Sequence, residues 1–197
     1  MALEKVFREM TECLRRLHDN LLAVQLTIRV DTPKEGSVLL VDVFGDATDD
    51  VLGWLEEAIQ AAREAQKGVG HPVDLDGARR ALVAVQEQFH RAEQAFLSDL
   101  VSYERLNELS KFGKRRCGEW RAWVKSVIQG IEQCRQPMIE ARSRIAECWQ
   151  EYAECMPATS VSVQSGPRIV AKDLVEAEAP PRAARLRLAV VGGSAKQ

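Results

Sequence analysis

The residue types with the greatest chemical potential in this chain crowd into one short stretch, KFGKRRCGEWRAW, residues 111–123. Five of its side chains are cations, namely Lys111, Lys114, Arg115, Arg116 and Arg121. Three others are aromatic, namely Phe112, Trp120 and Trp123. Cations interleaved with aromatic rings bind nucleic-acid phosphates and stack on bases. Trp and Arg are also common at the centres of protein–protein interfaces.

Three interpretations of residues 111–123 stay open at this point. The plainest is a loop between two helices, with solvated cations and with tryptophans that fold back into a core. The second is a contact surface for an acidic protein partner, and the third is a nucleic-acid surface. The chain carries a net charge of -2 and the basic stretch is short, so a protein partner is favoured over nucleic acid. The eight cationic and aromatic residues are our candidate partner-binding residues.

The thiols were considered for nucleophilic and metal chemistry. Cys117 follows Arg115 and Arg116, and neighbouring cations lower the pKa of a thiol, but no histidine lies nearby in the sequence to act as a base. Cys134, Cys148 and Cys155 are spaced by multiples of seven, which is typical of small core residues on one helix face. No closely spaced Cys pair of the kind that binds zinc is present.

Carboxylates and histidines give no stronger signal. A Glu-x-x-His pair, the ligand pattern of di-iron bundles, occurs once, at Glu87 and His90, and its helical phase predicts that both side chains point outward. The cluster Asp46, Asp49 and Asp50 suits either the first turn of a helix or an exposed helix face. We therefore predict no metal, no cofactor and no catalytic residue, and phosphate-binding, nucleophile-elbow and dinucleotide motifs are also missing from the sequence.

The segments that must position these residues repeat one hydrophobic spacing. Apolar residues recur alternately three and four positions apart, which marks one side of a helix. The first predicted helix has such a seam at Leu3, Phe7, Met10, Leu14, Leu17, Leu21, Val24 and Ile28. The second has it at Val41, Phe44, Thr48, Val51, Leu55, Ala58, Ala62 and Ala65, after a break at Pro33 and Gly36 and a possible extended entry at residues 38–39.

Two further seams complete the pattern. Gly68 is a predicted helix stop and Asp74 a predicted N-cap. The third seam comprises Leu75, Ala78, Leu82, Val85, Phe89, Ala92, Phe96, Tyr103 and Leu106, with a stutter at Asp99 where Leu97 and Leu100 offer another phase. The fourth comprises Val124, Val127, Ile131, Cys134, Met138, Ala141, Ile145, Cys148, Tyr152 and Cys155. Pro137 lies within it and predicts one bent helix.

Four helices with short connections predict an all-α, antiparallel up-down four-helix bundle over residues 1–156. The third and fourth helices are the longest, so their hairpin would project at residues 111–123 and leave Phe112, Trp120 and Trp123 on a surface. The alternative is that the fourth helix overhangs at its other end.

Residues 157–197 predict a mostly disordered or partner-docking tail, since prolines interrupt them and no helical period is sustained. The segment RLRLAVVGG, residues 185–193, resembles the C-terminus of ubiquitin-type modifiers, in which Gly192 and Gly193 would form the unhindered end. That resemblance covers nine residues of a chain whose remainder is helical.

The function expected from this pattern is a non-enzymatic adaptor, scaffold or assembly subunit. Apolar residues outside the seams suggest a surface for a protein partner or for self-association, namely Leu22, Leu26, Leu52, Trp54, Ile59 and Trp149. The charged N-terminus and the lack of a long apolar run predict a cytoplasmic protein without a membrane segment. A nucleic-acid-binding accessory protein that uses residues 111–123 is the alternative.

Overall fold

The computed structural model describes residues 2–33, 38–70, 73–116 and 118–156, and all regular structure within them is helical. The predicted all-α class is confirmed for these residues. Their elements are α1 (Ala2–Arg29), α2 (Val38–Gly68), α3 (Leu75–Ala95), a π-helical turn (Phe96–Leu100), α4 (Tyr103–Lys114), α5 (Gly118–Gln133) and α6 (Arg135–Cys155). The predicted tail, residues 157–197, lies outside the described residues, as does Gly36.

The core is built from the apolar residues that the sequence spacing selects. All eight seam residues of α1 are buried, and so are all eight of α2, including Thr48, whose hydroxyl donates to the Phe44 carbonyl at 2.6 Å. That bond satisfies the one polar group that the α2 seam places in the core. The extended entry considered for residues 38–39 is wrong, because α2 begins at Val38.

The third predicted helix is divided in the structure. The π-helical turn Phe96–Leu100 coincides with the stutter at Asp99 and buries both Phe96 and Leu100. A new helix then begins, with the Ser102 hydroxyl accepting from the Arg105 amide at 3.4 Å. The inserted residue of a π turn shifts the helical phase, and Tyr103, predicted as a core position, is instead 83% exposed.

The single bent helix predicted around Pro137 is also wrong, because α5 ends at Gln133 and α6 begins at Arg135. Proline has no N–H for the Gln133 carbonyl and its ring crowds that carbonyl. At the junction the Cys134 amide donates to the Ile131 carbonyl at 3.1 Å, three residues back, and thus tightens the last turn of α5. Cys155, the last residue of α6, was predicted as a core position but is exposed.

The contacts between the helices show how α1 and the α5–α6 segment are oriented. α1 packs against α2, α5 and α6, while α3 packs against α2 and α6. Near one end of α1, the Val6 carbonyl accepts from the Cys148 thiol at 3.5 Å. Near its other end, the Thr27 carbonyl accepts from the indole of Trp123 at 2.8 Å. The α5–α6 segment is therefore antiparallel to α1.

The turn between α2 and α3 follows the prediction. Gly68 ends α2, and the Asp74 carboxylate accepts from the Gly77 amide at 2.8 Å, which caps the start of α3. The Asp74 amide also donates to the Gly68 carbonyl at 2.6 Å. These bonds use backbone groups that a helix end would otherwise leave unpaired.

A close helix crossing holds α4 against α5. A Cβ atom at Gly113 would lie 3.0 Å from the Cβ of Val124, so a larger residue there would require the Val124 side chain to shift by a few tenths of an ångström. The crossing lies beside the stretch that joins α4 to α5, and it fixes the position of the candidate site.

Candidate functional site

Five exposed cations surround the connection between α4 and α5. Their side chains come from the last turn of α4, the connection itself and the first turn of α5, and we call them the basic tip: Lys111, Lys114, Arg115, Arg116 and Arg121. Within the described ranges, no ion pair joins any of them to a carboxylate. The tip is therefore a positive surface on balance, since its five cations outnumber the exposed carboxylate of Glu119 in the first turn of α5.

Local structure accounts for part of this charge. Lys111 and Lys114 lie in the last turn of α4, where cations favour the negative end of the helix dipole. Lys125 is exposed one turn beyond Arg121 and extends the positive surface along α5. Lys125 lies outside the stretch of residues 111–123, although its spacing of four residues from Arg121 places both on one side of the helix.

The aromatic residues of the stretch lie under the cations instead of beside them. Trp120 is 2% exposed and Trp123 is 5% exposed, so the tryptophans fold back into the core, as the plainest interpretation of the stretch predicts, and the surface position inferred from the helix lengths is wrong. Their rings pack edge to face at 5.3 Å, and Phe112 is half-buried with its ring 5.2 Å from Trp120. Trp120 and Trp123 each precede a seam residue by four positions, so they continue the buried side of α5.

These aromatic contacts turn the basic tip into a rigid platform. The Trp123 indole bond to the Thr27 carbonyl ties α5 to α1, and a buried indole N–H needs such a partner. On the outer side, the Arg116 guanidinium stacks over Phe112 at 5.0 Å. Such stacking removes one more aromatic face from solvent. No face of Trp120 or Trp123 is left open for stacking with a nucleobase.

The acidic cluster of α2 has a partner within the chain. α2 begins at Val38, so Asp46 and Asp49 lie past its first turn on an exposed side. The Arg29 guanidinium bonds Asp46 at 2.8 Å and Asp49 at 2.7 Å, and these hydrogen bonds raise the pKa of Arg29. Gly45 leaves room for that guanidinium, because its Cβ would lie 2.7 Å from the Arg29 Nε.

The thiols buried in the described core are not activated. Burial raises the pKa of Cys134 to about 11 and that of Cys148 to about 12, and burial also raises the pKa of Cys13. A thiol with a raised pKa stays protonated at neutral pH, and the thiolate is the nucleophilic form. Cys117, the thiol among the cations, lies outside the described residues.

The other residues considered for metal chemistry are dispersed. Glu87 and His90 are both exposed, as their helical phase predicts. Among the described residues, no group of three or more His, Cys, Asp or Glu side chains is placed to hold a metal ion. Asp50 stands on the exposed side of α2 without a recorded ion pair in those ranges.

Most of the apolar surplus noted in the sequence belongs to the core. Leu52 and Ile59 are buried within the chain, and Trp54 is half-buried beneath the Arg91 guanidinium at 5.0 Å. Trp149 is half-buried and packs edge to face on Tyr152 at 6.1 Å. The surplus is thus smaller than predicted, and Leu22 and Leu26 of α1 are its exposed members, joined by Val30.

A groove of about 300 Å³ lies between α1 and α5. Its lining comprises Asn20, Ala23, Val24, Thr27, Ser126, Gln129, Gly130 and Gln133. None of these side chains titrates, so the groove offers hydrogen bonds but no acid, base or activated nucleophile.

Comparisons with known proteins add no relative. No family model matches the sequence, and neither a curated protein nor a solved structure matches the chain. Among the described residues, no helix is long and apolar enough to cross a bilayer.

Proposed function

We propose that this protein is a non-enzymatic helical adaptor, scaffold or assembly subunit that binds an acidic protein surface through its basic tip. The observation that carries the proposal is the tip itself, five exposed cations without a carboxylate partner in the described residues. Unpaired like charges repel one another at close range, and a matching anionic surface relieves that repulsion.

The rigidity of the platform supports a recognition role. Binding costs less when the contacting residues are already held in place, because little conformational entropy is lost. Here the Gly113–Val124 crossing and the buried Trp123 hold the backbone under the cations.

The finer architecture is part of the proposal. We take α3, the π turn and α4 as one bent arm, and α5 with α6 as another. With α1 and α2 these arms make an antiparallel up-down four-helix bundle whose α4–α5 hairpin carries the tip. Contacts of α1 with α2 and α6, and of α3 with α2 and α6, support this arrangement.

The proton states of the thiols and the lining of the groove support a non-enzymatic role. Catalysis requires a nucleophile, acid or base in reach of a bound substrate. Cys134 and Cys148 stay protonated in the core, and the α1–α5 groove has no titratable side chain. The α1–α5 groove therefore offers contact and hydrogen bonding.

The test is affinity purification of the tagged chain from its native cells, with quantification of the proteins that remain bound. We expect Lys114→Glu with Arg115→Glu to lose a stoichiometric partner by at least about tenfold, since reversed charges repel an acidic surface. The matched control is Arg79→Glu with Arg80→Glu, an equal charge reversal on exposed residues of α3. It should retain the partner.

Two results would count against the proposal. One is a partner that remains bound to the tip variant at the wild-type level. The other is equal loss in the tip and control variants, since this would show a response to net charge and not to the tip. Circular dichroism of both variants checks that the helices remain intact.

A nucleic-acid-binding accessory protein is the second candidate, favoured by the same exposed cations. Phosphate binding predicts a log–log salt slope of about -0.9 per duplex contact, or about -0.7 for single strands. The buried tryptophans argue against the stacking that adds about 1 to 3 kcal/mol per base. We expect only weak, non-specific binding that replacement of Lys114, Arg115 and Arg116 with Ala reduces slightly. Tight binding that the triple replacement abolishes, measured by fluorescence anisotropy across salt concentrations, would favour this candidate instead.

A further inference from the structure

The outer side of α2 is as acidic as the α4–α5 connection is basic. Five exposed carboxylates follow one another along about three turns of this helix, and we call them the acidic face: Asp46, Asp49, Asp50, Glu56 and Glu57. Their spacing of three, four and seven residues places them on one side of the helix. The acidic face spans about 16 Å along α2, at 1.5 Å per residue.

Neutralisation of the acidic face within the chain is partial. Arg29 pairs with Asp46 and Asp49, and His18 lies 3.3 Å from Glu56. Within the described residues, Asp50 and Glu57 have no recorded ion pair. Negative charge therefore remains on the solvent side of α2.

The surface between these carboxylates is open. Gly53 lies in their midst, and a Cβ added there would meet no atom within 4 Å. Beside it on α1, the exposed Leu22 and Leu26 flank Gln25, which bonds Asp49 across the α1–α2 interface. The acidic face thus has exposed charges, a glycine without a side chain near its centre, and apolar residues along one edge. Protein interfaces commonly combine polar and apolar residues in this way.

The dimensions of the two charged surfaces match. The basic tip presents two antiparallel helix ends, whose axes lie about 8 to 10 Å apart where helices pack. The 16 Å length of the acidic face accommodates both ends side by side. Among the described residues, no ion pair joins the basic tip to the acidic face of the same chain. Both surfaces are therefore available to another molecule.

We infer that the basic tip of one copy docks on the acidic face of a second copy, so that the chain associates head to side. This inference rests on the proposed function and names a second copy of the chain as one acidic partner. Because two different surfaces meet, the contact is heterologous, and it continues from copy to copy until a ring closes or an open assembly forms. Its attraction is between exposed charges, so salt weakens it.

The inference is tested with variants in which the charge of one surface is reversed. Sedimentation velocity on the full chain measures the mass of the assemblies that these variants form. The tip variant is Lys114→Glu with Arg115→Glu, and the face variant is Asp50→Lys with Glu57→Lys. None of these four residues has a recorded ion pair in the described ranges, so the substitutions break no such contact within the chain. The charge-matched control is again Arg79→Glu with Arg80→Glu.

We expect wild type and the control to associate at low salt, and both charge variants to weaken that association by at least about tenfold. An equimolar mixture of the two variants should associate again with alternating copies, because the unchanged tip of one variant matches the unchanged face of the other and the reversed tip matches the reversed face. The variant that carries all four substitutions should associate again, since its two surfaces have exchanged sign.

A wild-type chain that stays monomeric at low salt and high concentration would overturn the inference. So would a mixture of the two variants that remains monomeric, since complementary charges would then fail to meet. Neither result touches the proposed function, which is judged by the partner that the tip variant loses in affinity purification. A monomeric wild type with a partner lost only from the tip variant would leave the adaptor role intact.

Discussion

Replacing Arg142 with Met should reduce the free energy of unfolding by about 3 to 5 kcal/mol, the usual cost of leaving a buried charge without its partner. Arg142 of α6 donates from both Nε and Nη2 to one carboxylate oxygen of Glu93 on α3, the Nε bond measuring 2.8 Å. The Glu93 side chain is only 8% exposed, so water cannot replace the lost cation. Urea denaturation at neutral pH measures the effect.

Arg144→Met is the matched control. Arg144 lies on the same helix and pairs with Glu147 at 2.7 Å and Glu9 at 3.4 Å, but its side chain is 43% exposed. An exposed pair contributes less than about 1 kcal/mol, so this variant should unfold near the wild-type midpoint. Adding Glu93→Leu to Arg142→Met should recover most of the loss. Equal losses for Arg142 and Arg144 would contradict the burial argument.

The hydrophobic spacing predicted the core of α1 and α2 at residue level. Leu3 to Ile28 and Val41 to Ala65 lie on uninterrupted helices, so a seam drawn at constant spacing stays on the buried side throughout. For these two helices, composition and spacing are enough to predict which residues are buried, because hydrophobic burial is the dominant force and the helical period is constant.

The helix breaks were harder to predict because they depend on backbone hydrogen bonds. The stutter at Asp99 indicated a change of phase, but not that a π turn would absorb it and turn Tyr103 outward. Pro137 indicated a bend, yet whether a helix bends or ends depends on the bonds available to the carbonyls near Cys134. Such alternatives differ by small energies that local sequence does not determine.

The candidate site was predicted in part. The cations of the basic tip are exposed, as expected, because long charged side chains at a helix end reach solvent easily. For Trp120 and Trp123 the sequence left two positions open, a surface suggested by the helix lengths and the core, and the core is confirmed because both residues continue the buried side of α5. Glu93 gave no sequence signal, since its burial depends on Arg142, which lies 49 residues away.

The pairing of Glu93 with Arg142 joins α3 to α6. In the chain, α3 precedes and α6 follows the two helices that carry the basic tip. A buried ion pair sets the register of two helices more sharply than apolar contacts do, because both partners must meet to avoid an unpaired charge.

The second large effect is expected for Cys134→Asp, which should reduce the free energy of unfolding by several kcal/mol, on the order of 3 to 5. Cys134 is fully buried at the α5–α6 junction, where burial raises the pKa of the thiol to about 11. The same environment penalises a carboxylate, for which the structure records no cation at that position. Because burial raises the pKa of the introduced carboxyl, the loss should be largest at neutral pH and should shrink as pH falls and the group becomes neutral.

Cys155→Asp provides the control, since Cys155 lies on α6 but is exposed, and a charge there remains hydrated. It should change stability by no more than about 0.5 kcal/mol, as surface substitutions usually do. In the wild-type chain a thiol reagent should label Cys155 rapidly and Cys134 only when the fold opens, because Cys134 is both covered and protonated. Mass spectrometry of timed digests distinguishes the two sites. Labelling of Cys134 at the rate of Cys155 would show that the α5–α6 junction is open, and the core derived for this part of the chain would then be wrong.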